Sequence, residues 1–207
     1  MRMRRIVLGG SALLGAALVI AVLLPSVYWP WARTWGATEE EVLRTMPGDE
    51  IVTQPTFDST RAVTIDASPD RIWPWILQIG YRRAGFYSYD RLDNDGIASA
   101  EHIIPEYQGL AVSDRIPLSR SLDARVWLLE PEKFLVLVVG PPDTNETWTW
   151  AWGLYEEDSG QTRLVSRLRV RAESLRANLM LDTFEIIMMR KHLLGIERRA
   201  EAAPLDR

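Results

Sequence analysis

His102, beside Glu101 and ahead of Ile103-Ile104-Pro105, is the residue best suited to moving a proton near neutral pH. Tyr87, Tyr89 and Asp90 precede it in Gly85-Phe86-Tyr87-Ser88-Tyr89-Asp90, where aromatics alternate with small polar groups. Such side chains suit the wall of a cavity that is apolar yet offers a few hydrogen bonds. His102 is therefore the candidate general acid–base, with a structural or surface histidine as the plainer alternative. A second group of candidates is Thr147 to Tyr155, where Trp148, Trp150, Trp152 and Leu154 share one strand face by period-two alternation. They can form an aromatic floor for a flat or greasy ligand, pack a core, or do both. On the following strand Leu164, Ser166, Leu168 and Val170 alternate inward, so Ser166 is a polar point on an apolar face.

Other chemistries lack their residues. The chain has no cysteine, so disulfides, thiolate nucleophiles and cysteine-ligated metals are excluded. Its other histidine, His192, lies far away in sequence and forms no metal-ligand spacing with His102. Asp93-Asn94-Asp95-Gly96 reads as a turn, since the further ligands of a calcium loop are absent. No nucleophile elbow, phosphate-binding glycine loop or dinucleotide fingerprint occurs. Neither a metal nor a cofactor is expected.

The elements that must position these residues follow an N-terminal apolar run. Ile6 to Leu24 carries no charge and, as a helix, would span about 28 Å, close to a bilayer core. Arg2, Arg4 and Arg5 precede it; Tyr28, Trp29 and Trp31 follow, as an interfacial aromatic belt would. Residues 1–32 therefore read as an uncleaved transmembrane anchor, with a cleaved signal peptide as the rival. The arginines favour a cytoplasmic N-terminus, which makes this a single-pass cell-membrane protein with an extracytoplasmic domain. Removing those three arginines from the net charge of −4 leaves −7 for the rest of the 207 residues. A negative domain is a poor partner for nucleic acid.

Residues 33–56 read as a connector with one short helix, opened by the capping box Thr38-Glu39-Glu40-Glu41. Residues 57–207 read as the domain. Strands are expected at Arg61 to Ile65, Val112 to Leu118, Ala124 to Leu129, Phe134 to Val139, Thr147 to Tyr155 and Thr162 to Arg171. A helix from Pro69 towards Gln78 follows the first strand, with Ser68 able to cap it and Pro74 a local irregularity. Ser88 can cap a short second helix through Leu92, and one long helix covers Asn178 to Ala200. Arg163, Arg167, Arg169 and Arg171 form a basic row that reads as a solvated strand face. This is an α+β arrangement: an antiparallel sheet with a long C-terminal helix across it.

The chain resembles the START/Bet v 1-like (SRPBCC) superfamily of polyketide cyclases and lipid-transfer proteins. The resemblance rests on Trp35-Gly36-Ala37-Thr38, Pro47-Gly48-Asp49-Glu50, the run Ile65 to Trp75, Gly85 to Asp90 and Leu193 to Ala200. It implies a helix-grip fold, a curved sheet around the C-terminal helix with a hydrophobic cavity between them. It carries over no catalytic residue, since superfamily members differ in activity and many only bind. The leading expectation is a membrane-anchored module that binds a hydrophobic small molecule or lipid through Tyr87, Tyr89, Asp90, His102, Trp148, Trp150, Trp152 and Ser166. A cyclase- or dehydratase-like enzyme and a structural protein-interaction domain are the alternatives.

Overall fold

The computed structural model describes residues 21–141, 144 and 147–202. Most of the apolar run Ile6 to Leu24 lies outside the described residues. Among those described, no helix is long and apolar enough to cross a membrane. The described chain begins in a helical segment that passes through a π-helical turn, Leu24–Tyr28, into α1, Trp29–Arg33.

A six-stranded antiparallel sheet forms the centre, in the order β1-β6-β5-β4-β3-β2. Its strands are β1 (Phe57–Ile65), β2 (Arg115–Pro117), β3 (Asp123–Glu130), β4 (Phe134–Val139), β5 (Trp148–Glu156) and β6 (Thr162–Val170). Trp150 lies opposite Leu168 on β6 and Leu137 on β4, and Trp152 opposite Ser166 and Leu135. The aromatic face of β5 is thus continuous with the apolar faces of its neighbours. One departure occurs in β3, where the register shifts between Val126 and Leu128. Trp127 is the extra residue of this bulge and projects into solvent, while Val126 stays in the core.

The inner face carries α3 (Pro69–Leu77) and the C-terminal helix. The latter runs as α5 (Leu175–Met180), a π-helical turn Leu181–Glu185, and α6 (Ile186–Glu201). Ile186, Met189, Leu193, Ile196 and Ala200 recur at helical spacing and are buried against β1 and α3. Helix α3 runs through Pro74 without a break. Ser68 precedes it but bonds Asp70 rather than the helix backbone. The short second helix, α4, is Asp90–Asp93; Ser88 does not cap it but donates to the Met188 carbonyl at 3.1 Å. Gly195 lets α6 meet the Tyr87 loop: a Cβ there would stand 2.4 Å from the Tyr87 carbonyl oxygen.

The outer face of the sheet is covered too. The expected capping box is present, with Glu41 N–H donating to Thr38 and the Thr38 N–H to Glu41, opening α2 (Glu39–Leu43). Beyond it, Met46 packs on Ala62, Val136, Ala151 and Val165, while Ile51 and Val52 pack on Val138. Side chains of this size stabilise by about 1.5–3 kcal/mol each when fully buried. Gly36 approaches the sheet so closely that a Cβ would lie 2.1 Å from the Ala62 carbonyl oxygen.

This cover corrects the reading of the arginine row. Arg163 pairs with Glu41 at 2.6 Å, and Arg169 with Asp49 at 3.1 Å. Arg167 is almost fully buried; it donates to Thr60, to Asp49 and to the carbonyls of Glu41, Val42 and Arg44. These cations are held between sheet and connector rather than solvated. The fork-shaped donor set of Arg167 satisfies the carbonyls that end α2.

Candidate functional site

Between the inner face of the sheet and the C-terminal helix lies a cavity of about 650 Å³. That is within the roughly 300–1,000 Å³ of small-molecule sites. Trp148, Trp150 and Leu168 form its floor, Phe86 one side, and Leu181 and Met189 part of the roof. Phe86 stacks on Trp150 with ring centres 6.2 Å apart, so the loop after α3 is fixed against β5. Met180, Phe184 and Leu122 also line the cavity, yet are 59%, 53% and 38% exposed, which marks them as its rim.

Four polar side chains belong to the wall: Ser88, Asp93, Glu185 and His192. His192 is buried on α6. The Trp152 indole can only donate, so its 3.1 Å contact with Nε2 makes that nitrogen an acceptor. Nδ1 therefore carries the proton and donates to the Phe86 carbonyl at 2.6 Å. Burial lowers the pKa of this imidazole to about 4, against the opposing Phe86 bond, so it is neutral at pH 7. Both ring nitrogens are engaged by the protein, which makes His192 a clamp joining helix, sheet and loop.

Glu185 ends the π-helical turn and meets buried Arg61, with oxygens 2.5 and 2.8 Å from its guanidinium. Burial pushes the Glu185 carboxyl up, and Arg61 opposes that shift. Arg61 also donates to Ser59 and to the Ala32 carbonyl at the end of α1. The same helical turn receives two further contacts from the N-terminal segment. The Tyr28 hydroxyl donates to the Thr183 carbonyl at 2.7 Å, and Arg33 pairs with Asp182 at 2.6 Å. A π-turn leaves backbone carbonyls off the regular ladder, available to a donor such as Tyr28.

The expected site residues separate into groups. Trp148 and Trp150 line the cavity. Trp152 lies behind them, fully buried and bonded to His192. Ser166 accepts from the Trp150 indole at 3.0 Å, which orients the floor without reaching the cavity. Tyr87 is buried outside the cavity. Its hydroxyl donates to the Trp75 carbonyl and accepts from Gln78, Arg199 covers its ring, and burial raises its phenol pKa. Tyr89 is exposed beneath Lys191, whose ammonium stands 4.0 Å from the ring centre. Asp90 accepts from Ser99 at 2.5 Å and borders a separate polar cleft with Tyr87, Glu101 and Arg199. The His102 side chain is exposed and lines neither space; Gln78 uses only its carbonyl oxygen.

His192, Asp93 and Glu185 escaped the sequence reading. For His192 a signal existed: it follows Met189 by three residues and precedes Ile196 by four, on the apolar stripe of the helix. Asp93 was concealed in a turn-like acidic cluster, and Glu185 on a helix has no local mark of a buried partner. Among the described residues, no group of histidines and carboxylates could hold a metal ion.

Solved structures similar in chain course include a protein from Mesorhizobium loti, with 18% identity, a TM-score of 0.42, and coverage of 71% of this chain and all of that one. DynU16, from the dynemicin biosynthetic locus, has 14% identity and a TM-score of 0.45 over 72% of this chain and 51% of its own. CalU16 from Micromonospora echinospora has 14% identity and a TM-score of 0.37 over 69% and 85%. Overlaps of this extent say nothing about function. No family model matches the chain, and no curated protein matches it. The class defined by fold and site is an α+β protein with an apolar cavity between an antiparallel sheet and its C-terminal helix.

Proposed function

We propose that this chain is a membrane-anchored binding module of the START/Bet v 1-like kind, holding one hydrophobic small molecule or lipid between sheet and C-terminal helix. The observation that carries the reading is the cavity: its size, its tryptophan floor and its apolar roof suit a greasy ligand. Acid–base catalysis by His102, Tyr87 or Asp90 is disfavoured, because none of the three lines the cavity.

The rim supports a position at the bilayer. Leu175, Leu179, Met180, Phe184 and Ile187 are exposed along one helix. Val22, Leu23, Val27 and Trp31 are exposed on the segment that packs against its Leu181–Glu185 turn. Exposed apolar surface of this kind is a mark of membrane or partner contact. The segment continues the apolar run of the sequence, so an anchor there would bring the opening towards the lipid from which a ligand could enter.

Native mass spectrometry of the full chain, released from detergent micelles after incubation with palmitate, hexadecanol and hexadecylamine, tests the reading. One adduct per chain is expected. A chain that emerges bare with all three probes would sink the proposal.

A further inference from the structure

Three of the four polar side chains in the cavity wall already have partners. His192 uses both nitrogens, Glu185 faces Arg61, and the Ser88 proton goes to the Met188 carbonyl. Asp93 differs. Both its carboxylate oxygens are shut off from solvent, and neither has a hydrogen-bond partner in good geometry; the nearest donors, the Ser88 hydroxyl and the Asp93 backbone N–H, only oppose the rise in its pKa. Ser88 stands near, but its one proton is already donated elsewhere. Lys191 is held over the Tyr89 ring and attracts Asp93 only through space.

Burial, reinforced by the neighbouring Asp90 carboxylate, raises the Asp93 pKa. Native proteins rarely leave a shielded polar group without a partner, and each case calls for a reason. Here Asp93 sits on the wall of a cavity that otherwise offers tryptophan, leucine, methionine and phenylalanine. An incoming O–H or N–H could complete its bonding while the rest of the ligand met apolar surface. A carboxylate or phosphate in the same place would meet a like charge at low dielectric.

We propose that Asp93 is the polar anchor of the cavity, which selects amphiphiles whose head is a hydrogen-bond donor, an alcohol or a protonated amine, over those with an anionic head. This inference rests on reading the cavity as a binding site. The head of the ligand lies at the C-terminal end of α4, and its tail runs over Trp148 and Trp150 towards Met180 and Phe184.

The test is competition among palmitate, hexadecanol and hexadecylamine for the full chain, read as adduct occupancy by native mass spectrometry. Hexadecanol and hexadecylamine are each expected to bind about tenfold or more tighter than palmitate, as a hydrogen bond to a charged group allows. A clear lead of hexadecylamine over hexadecanol identifies an ion pair; equal binding identifies the shared donor. In Asp93→Asn the preference over palmitate should fall to about threefold or less, since an amide can also donate to a carboxylate. Asp93→Ser provides a second variant if the amide fails to fold, with far-UV circular dichroism as the check on folding. Equal binding of all three by the wild type, or an unchanged preference in both folded variants, overturns the role of Asp93 and leaves the cavity reading standing. No binding of any probe overturns both.

Discussion

The two faces of the sheet are built from the same strands and solve opposite problems. On β6, Leu164, Ser166 and Leu168 turn inward, while Arg163, Arg167 and Arg169 turn outward. The inner face is apolar and leaves a cavity beneath the C-terminal helix. The outer face is charged and closes tightly, because residues 36–52 supply Glu41, Asp49 and a set of carbonyls at the right positions. A face rich in arginine is thus the closed one, and the face rich in tryptophan is the one with room. Burial follows what covers a surface as well as the surface itself.

The largest loss of stability is expected from the outer face. Arg167→Ala leaves Asp49 with a weakened partner and removes the donor to three backbone carbonyls. Breaking a buried pair in this way costs about 3–5 kcal/mol. Urea denaturation should show that loss; a change below about 1 kcal/mol would mean that the connector is not part of the folded unit.

On the inner face the sharpest probe is pH. His192 has an unfolded pKa near 6.5 and a folded value of about 4, lowered by burial. Between these values the unfolded chain binds a proton that the folded chain refuses. This contribution to stability is complete above pH 6.5 and is lost as pH falls towards 4. The loss reaches on the order of 3 kcal/mol. His192→Gln keeps a donor for the Phe86 carbonyl and an acceptor for the Trp152 indole but does not titrate in this range. Urea midpoints measured across the window should therefore fall less steeply for the variant than for the wild type. Parallel slopes would show that His192 is not buried neutral.

What was legible in the sequence was local. The Thr38 capping box needs only residues three apart, and the alternation of Trp148, Trp150 and Trp152 only neighbours on one strand. Both stand in the structure as read. The antiparallel sheet and C-terminal helix follow from the same periodicities. What was hidden depends on partners far away in the chain. Arg163 and Glu41 are 122 positions apart, and nothing beside either residue announces the other. The Leu181–Glu185 turn likewise meets Tyr28, Arg33 and Arg61, all more than a hundred positions earlier in the chain. The two histidines show the same limit. His102 stands beside a carboxylate in a suggestive loop, yet it is exposed. His192 has the sequence setting of helix filler, yet it holds the cavity wall together.

The space beneath the C-terminal helix is the proposed site of ligand binding. Ala177 lines that space on α5 without being buried in the core, so Ala177→Trp would fill the cavity from its rim. Leu43→Trp, on an exposed position at the end of α2, is the matched control. Hexadecanol occupancy of the full chain, measured by native mass spectrometry, should fall at least about tenfold in Ala177→Trp and stay at the wild-type level in Leu43→Trp. Undiminished occupancy in a folded Ala177→Trp protein would contradict the account, because the ligand would then be bound elsewhere.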